Sequence, residues 1–226
     1  AAKADGPSRH ECVQALRQAA VYAPPDGEAL LGTPFPSAAA AVGLWNLQTK
    51  LADRYVRAVC RSAKALPGDY VAWHLSRGAR RAEAFELGLA MLPPPQDPTL
   101  PAAKQPEPVY NDSERAAGAM LLALAAEGET QRRRAIERIT SRYSGRLGGE
   151  DDFFVRATYE CALAILGAGG FAPKAMQLLD LTDFPRRRAL TAALAVDREG
   201  ALDYLLWGPT VSDADRLYLL TVLRCA

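Results

Sequence analysis

The chain has 226 residues, 49% hydrophobic and 23% charged, with Lys+Arg 27 against Asp+Glu 26 and a formal net charge of +1. That composition excludes a disordered or fibrous chain, and the balance of charge leaves no global field to draw it to nucleic acid or an anionic membrane. The length allows one elongated domain or two small ones.

Helical patterning dominates and the β-branched alternating runs of strands are missing, so the sequence predicts an all-α fold. A first helix is expected from Ser8 to Tyr22, with Cys12, Val13, Leu16, Ala19 and Ala20 as its apolar stripe, stopped by Pro24, Pro25, Asp26 and Gly27. No charge falls between Ala29 and Thr49, but Pro34 and Pro36 interrupt that stretch and Asn46, Gln48 and Thr49 dilute it, so no membrane span is expected. Instead Ser37 is expected to cap one long helix reaching about Leu66. Leu44, Leu47, Leu51, Tyr55, Ala58 and Val59 would lie on its buried side, and Asp53, Arg54, Arg57 and Arg61 on its wet side. Pro67 and Gly68 would end it. Asp69 then caps a segment to Leu92 anchored by Tyr70, Trp73, Phe85 and Leu89, which Gly78 bends or breaks in two.

Residues 1–92 thus read as a helical N-terminal region, and 93–110 as a connector with seven prolines between Pro93 and Pro108. Beyond it, short helices recur between glycines. The fragment VRATYECALAILG, Val155 to Gly167, opens with Val-Arg and closes with a small-residue, apolar and glycine run. Segments from Glu114, Pro185 and Ala214 can be laid on the same arginine anchor, and Arg115, Arg156, Arg187 and Arg216 are then 41, 31 and 29 residues apart. Second helices are expected over Thr130 to Tyr143, Pro173 to Leu181 and Glu199 to Trp207, burying Ile136, Ile139, Met176, Leu178, Leu179, Leu202, Leu205 and Leu206. This pattern resembles the HEAT-like repeat family over residues 111–226. The resemblance implies a short α-solenoid of antiparallel helix pairs, each covering apolar surface its neighbour cannot shield alone. A plain helical bundle needs the same apolar faces and is the competing architecture. The chain opens at Ala1 with no basic-then-apolar leader, and its end at Cys225 and Ala226 falls inside an apolar helical pattern, as expected of a piece truncated from a longer protein.

The residues that could carry chemistry are sparse. The histidines, His10 and His74, form no metal-ligating pair, and no nucleophile elbow, dinucleotide fingerprint or phosphate loop is present; no catalytic residue, cofactor or metal is expected. Cys12, Cys60, Cys161 and Cys225 form no CxxC and no dense cluster and read as small buried hydrophobes with reduced thiols, with a single helix-bridging pair as the alternative in an exported protein. The compartment stays open, with the cytoplasm favoured. Gly167, Gly169 and Gly170 follow a helix with no strand and read as a C-cap and turn; Glu150, Asp151 and Asp152 read as first-turn acids of the next helix; Trp45, Trp73 and Trp207 read as core.

Arginines are the remaining signal, 22 against 5 lysines, with clusters at Arg80-Arg81, Arg132 to Arg134 and Arg186 to Arg188. Guanidinium groups bind carboxylate and phosphate in fork geometry. Residues 113–226 nevertheless hold 15 basic and 15 acidic residues, which argues against nucleic acid. What the resemblance implies is a non-catalytic scaffold or adaptor that docks another protein or domain, possibly of the same longer chain, on a solenoid surface, with Arg132, Arg133, Arg134, Arg186, Arg187 and Arg188 as the expected contacts. HEAT-like families also include DNA alkylpurine glycosylases and phycobilin lyases, whose functional residues map onto no motif in this chain. A regulatory helical domain of a larger enzyme is the other alternative.

Overall fold

The structure, a computed structural model, describes residues 9–21, 36–49, 51–61, 65–95, 99, 111–144, 152–180, 186–208 and 211–212. Most of the connector, the acidic pair Glu150 and Asp151, the segment anchored on Arg216, and Cys225 lie outside the described residues. Among those described, all regular structure is helical and no strand occurs. None of these helices is long and apolar enough to cross a membrane.

In the N-terminal half the helices are α1 (Arg9–Val21), α2 (Pro36–Asn46), α3 (Ala52–Cys60), α4 (Ala65–Arg77) and α5 (Arg81–Met91). The expected long helix from Ser37 is therefore two helices. It breaks because Gln48 takes a left-handed conformation, φ 52°, after Leu47, and the amides of Gln48 and Thr49 turn back onto the carbonyls of Trp45 and Leu44 at 3.0 and 3.2 Å. These two bonds form a Schellman stop, with glutamine where glycine is usual. The Thr49 hydroxyl adds a bond to the Leu44 carbonyl at 3.1 Å. Leu51, at φ 71°, resets the helical phase and is left 56% exposed, not in the buried stripe. Pro67 ends nothing. It sits in the first turn of α4, where its missing N–H is one the helix could not use. Asp69 is likewise no cap but an interior residue of α4. Gly78 does divide the next segment, as expected, between α4 and α5.

The C-terminal half has α6 (Asp112–Ala125), α7 (Gly128–Tyr143), α8 (Phe153–Ile165), α9 (Ala172–Gln177) with a 3-10 turn at Leu178–Asp180, α10 (Arg186–Val196) and α11 (Arg198–Trp207). Asn111, Asp152 and Asp197 cap α6, α8 and α11, each side chain accepting from an amide three residues on at 2.8, 3.0 and 3.0 Å. Gly167, φ +68°, closes α8 through bonds from its own amide to Ala164 and from Ala168 to Leu163, both 2.9 Å, which is the glycine C-cap read from the sequence.

Helices α2, α4, α6, α8 and α10 pack in succession, each on the next, while α3 lies on α2 and α4, α5 on α6, α9 on α8 and α10, and α11 on α10. The centre is α6. Every residue from Ala116 to Ala123 is buried, because the helix is apolar all round and receives α4, α5 and α8 on different sides. Its approach to α5 is close: a Cβ on Gly118 would lie 2.8 Å from Met91 Cβ, and one on Gly88 would lie 3.0 Å from Leu122 Cγ. One contiguous set of buried side chains runs from Ala38 to Val211, so helices on the two sides of residues 93–110 share a core. Two expected core positions are instead on the surface: Trp207 is 81% and Leu206 61% exposed at the last turn of α11, whose buried residues are Ala201 and Leu205.

Candidate functional site

Of the six arginines expected as docking contacts, Arg132, Arg133 and Arg134 are exposed on α7 and Arg188 is not on the surface. Arg188 is buried, 4% exposed, with its Nε donating to Asp69 Oδ1 and its Nη1 to Thr158 Oγ1, both at 2.7 Å; it is corrected from a docking contact to an interior clamp joining α4, α8 and α10. Thr158 passes the chain on, donating to the Phe154 carbonyl at 2.8 Å. The side chains of Arg186 and Arg187 lie outside the described residues. On α7, Arg132 donates to the Leu166 carbonyl at 2.5 Å, Arg133 reaches Glu137 at 3.9 Å, and Arg134 reaches Glu86 of α5 at 2.7 Å.

A common role emerges from the partners of the other arginines. Arg81 donates to the carbonyls of Leu124, Ala125 and Ala126, at 3.0 to 3.2 Å, at the end of α6. Arg138 spans the Leu89 and Leu92 carbonyls at 3.2 and 2.8 Å, and Arg142 takes those of Pro93 and Pro94 at 2.8 and 3.0 Å, all at the end of α5. Arg80 reaches the Trp45 carbonyl at the end of α2 at 2.6 Å, and Arg132 the end of α8. Helix C-termini carry unpaired carbonyls and partial negative charge, and a planar guanidinium can bridge two or three of them at once. Five of the described arginines, Arg80, Arg81, Arg132, Arg138 and Arg142, therefore serve helix ends. A buried acid takes others: Glu114, 1% exposed, accepts from Arg57 Nε at 2.5 Å and Arg61 Nε at 2.6 Å, while Arg61 stays 54% exposed on the wet face.

An open groove of about 530 Å³ lies between α3 and α5. Buried Trp45, Ala52 and Leu87 line it, and the exposed residues at its edges are Asp53 from α3 and Ala82, Glu83, Glu86 and Ala90 from α5. Volumes of this size suit a small molecule or a few side chains of a partner. Arg80, at the N-terminus of α5, is the cation of the lining, and it is already committed: its guanidinium stacks over the Trp45 ring at 4.3 Å and forks onto Glu83, Nε to Oε1 at 3.0 Å. That pairing holds the Glu83 carboxyl below the usual range and raises Arg80, so both stay ionised near neutrality. Sequence reasoning missed the groove because its walls come from helices some thirty residues apart, and only the break after Asn46 brings Asp53 opposite α5. The spacing of Glu83, Glu86 and Ala90 marks one exposed helix face, the single local signal available.

The other candidate groups sit apart from this groove. His74 is half-buried, stacked on Tyr70 at 4.1 Å, and its pKa is pushed down by burial and then by neighbouring Arg77. Burial raises the Cys60 thiol to about 12 and the Cys161 thiol further, so both are inert hydrophobes, while Cys12 is half-buried. Trp73 is in the core, whereas Trp45, also buried, lines the groove. Among the described residues no group of His, Cys, Asp and Glu is placed to hold a metal ion. Comparison with protein-family models, with curated proteins and with solved structures finds no significant match to this chain.

Proposed function

We propose that the chain is a protein–protein interaction scaffold of the α-solenoid type, in which successive helix pairs present the groove between α3 and α5 to a segment of another protein. The observation that carries this reading is the groove itself, open to solvent between two helices, lined by the buried Trp45, Ala52 and Leu87 and edged by charged residues. The succession α2, α4, α6, α8, α10, each packed on the next, is what supports a solenoid, and the Asp69–Arg188 pair between α4 and α10 makes it one that curls back on itself. A row of helices leaves gaps between its outer members, and such a gap is the usual receptor for a helical or extended segment. The docking contacts on this reading are Asp53, Glu83 and Glu86 with the apolar lining.

Photo-crosslinking tests it. A benzophenone side chain placed at Ala82 or Ala90, both exposed at the groove, should give one and the same protein adduct in native extract, identified by peptide mass spectrometry, and none when placed at Asp203 on α11. Equal adduct yields at all three positions, or none at Ala82 and Ala90, would count against a docking role for this groove.

A further inference from the structure

We infer that the occupant of the groove is a basic amphipathic segment of a partner protein, its Lys or Arg side chains on Asp53 and Glu86 and its apolar side chains over Trp45 and Leu87. The inference rests on the docking reading above and names the partner's chemistry.

The charges at the groove are unequal in availability. The charge of Arg80 is already answered by Glu83: the guanidinium forks onto that carboxylate, stacks on Trp45 and donates to the Trp45 carbonyl at 2.6 Å, which takes three of its five N–H groups. On the acidic side, Asp53 is exposed and has no ion-pair partner among the described residues. Glu86 is 58% exposed and is held through one oxygen only, Oε1, by Arg134 at 2.7 Å. Two carboxylates on opposite walls therefore face solvent with acceptor capacity left over, whereas the charge of the lining cation, Arg80, is already paired with Glu83. A cationic side chain is the complementary ligand, and guanidinium or ammonium with a long apolar stem fits best, since the stem can lie on the buried base.

Trp45 lines the groove at only 4% exposure, beneath the Arg80 guanidinium stacked on its ring. The α5 wall from Glu83 to Ala90 spans seven residues, about 10 Å or two helical turns, which matches the i, i+3/i+4, i+7 anchors of a docked helix. An anionic occupant such as nucleic acid would have to bring phosphates against Asp53 and Glu86.

Fluorescence anisotropy with labelled 14-residue helical peptides separates the outcomes. A peptide with Lys and Arg flanking an i, i+4 leucine pair should bind, and more weakly as salt rises. Its affinity should fall about tenfold or more in the Asp53→Lys, Glu86→Lys double variant, because like charges then meet. The milder Asp53→Asn, Glu86→Gln pair should give a smaller loss of the same sign, and unchanged circular dichroism should show that both variants keep the fold. Equal binding of a Glu-substituted peptide, binding of the basic peptide that ignores both variants, or no binding of it at all would overturn the inference. If a defined adduct still forms at Ala82 and Ala90, the docking reading outlives that failure; without one, both fall together.

Discussion

Arg188 and Asp69 are 119 residues apart in the chain and meet at 2.7 Å in the interior, at 4% and 5% side-chain exposure. A buried ion pair recovers its desolvation cost only when each charge keeps its partner, and removing one member leaves the other stranded. Arg188→Ala is therefore expected to destabilise the fold by about 3–5 kcal/mol in urea unfolding, with Asp69→Ala in the same range. The double replacement Asp69→Leu, Arg188→Met should recover most of that loss, since apolar groups of similar size no longer need partners. Additive losses in the double variant would mean that the two residues act independently. Neither residue was legible. A charged letter on a helix reads as surface by default, because most such residues are exposed, and Asp69 after Pro67 and Gly68 has the local look of a cap. Only the distant partner makes it a core residue.

At the scale of the helix, arginine is chosen where one side chain must serve several carbonyls of a neighbouring helix end. Arg138 shows the device: from α7 its Nη1 donates to both the Leu89 and the Leu92 carbonyls, closing α5 in the absence of a glycine stop. Arg138→Met keeps the apolar stem and removes both bonds. It is expected to cost about 1.5–3 kcal/mol, the range for a bond to a charged group, seen as a lower urea midpoint at unchanged slope. Arg138→Lys should restore only part of this: both bonds come from one nitrogen, which an ammonium can imitate, but the lysine stem is shorter. No change in either variant would assign these arginines back to the surface. Element positions were far more legible than these contacts. The starts of α8 and α11, the glycine close of α8 and the break at Gly78 follow from caps and turn residues that act within four residues of themselves. The split of α2 from α3 was missed because its left-handed residues are Gln48 and Leu51, types that seldom adopt that conformation. The fate of Trp207 was missed because a tryptophan in a helical pattern carries no mark of which way it faces.

For the whole molecule, the decisive fact is that α6 packs against α4, α5 and α8 at once, so the core is continuous across the proline-rich stretch that a reader of the sequence takes as a boundary. Burying an apolar side chain is worth about 1.5–3 kcal/mol, and Leu121, Leu122, Met91, Leu92 and Phe85 at the α5–α6 contact are all buried to within 1% of complete. The Asp69–Arg188 clamp then links α4 to α10 over the same divide. If stability is held in common in this way, a specific protease site inserted between Ala102 and Ala103 should be cleavable without separating the halves. The two pieces should co-elute on size exclusion and unfold in one urea transition. Pieces that part under native conditions, each keeping its helical circular dichroism, would show two independent cores. A row of helices with only neighbour contacts would allow the ends to unravel first, whereas the clamp joins helices that are three apart in that row. Amide exchange in α4 and α10 should accordingly report the same opening free energy, and Arg188→Ala should let α10 exchange ahead of α4.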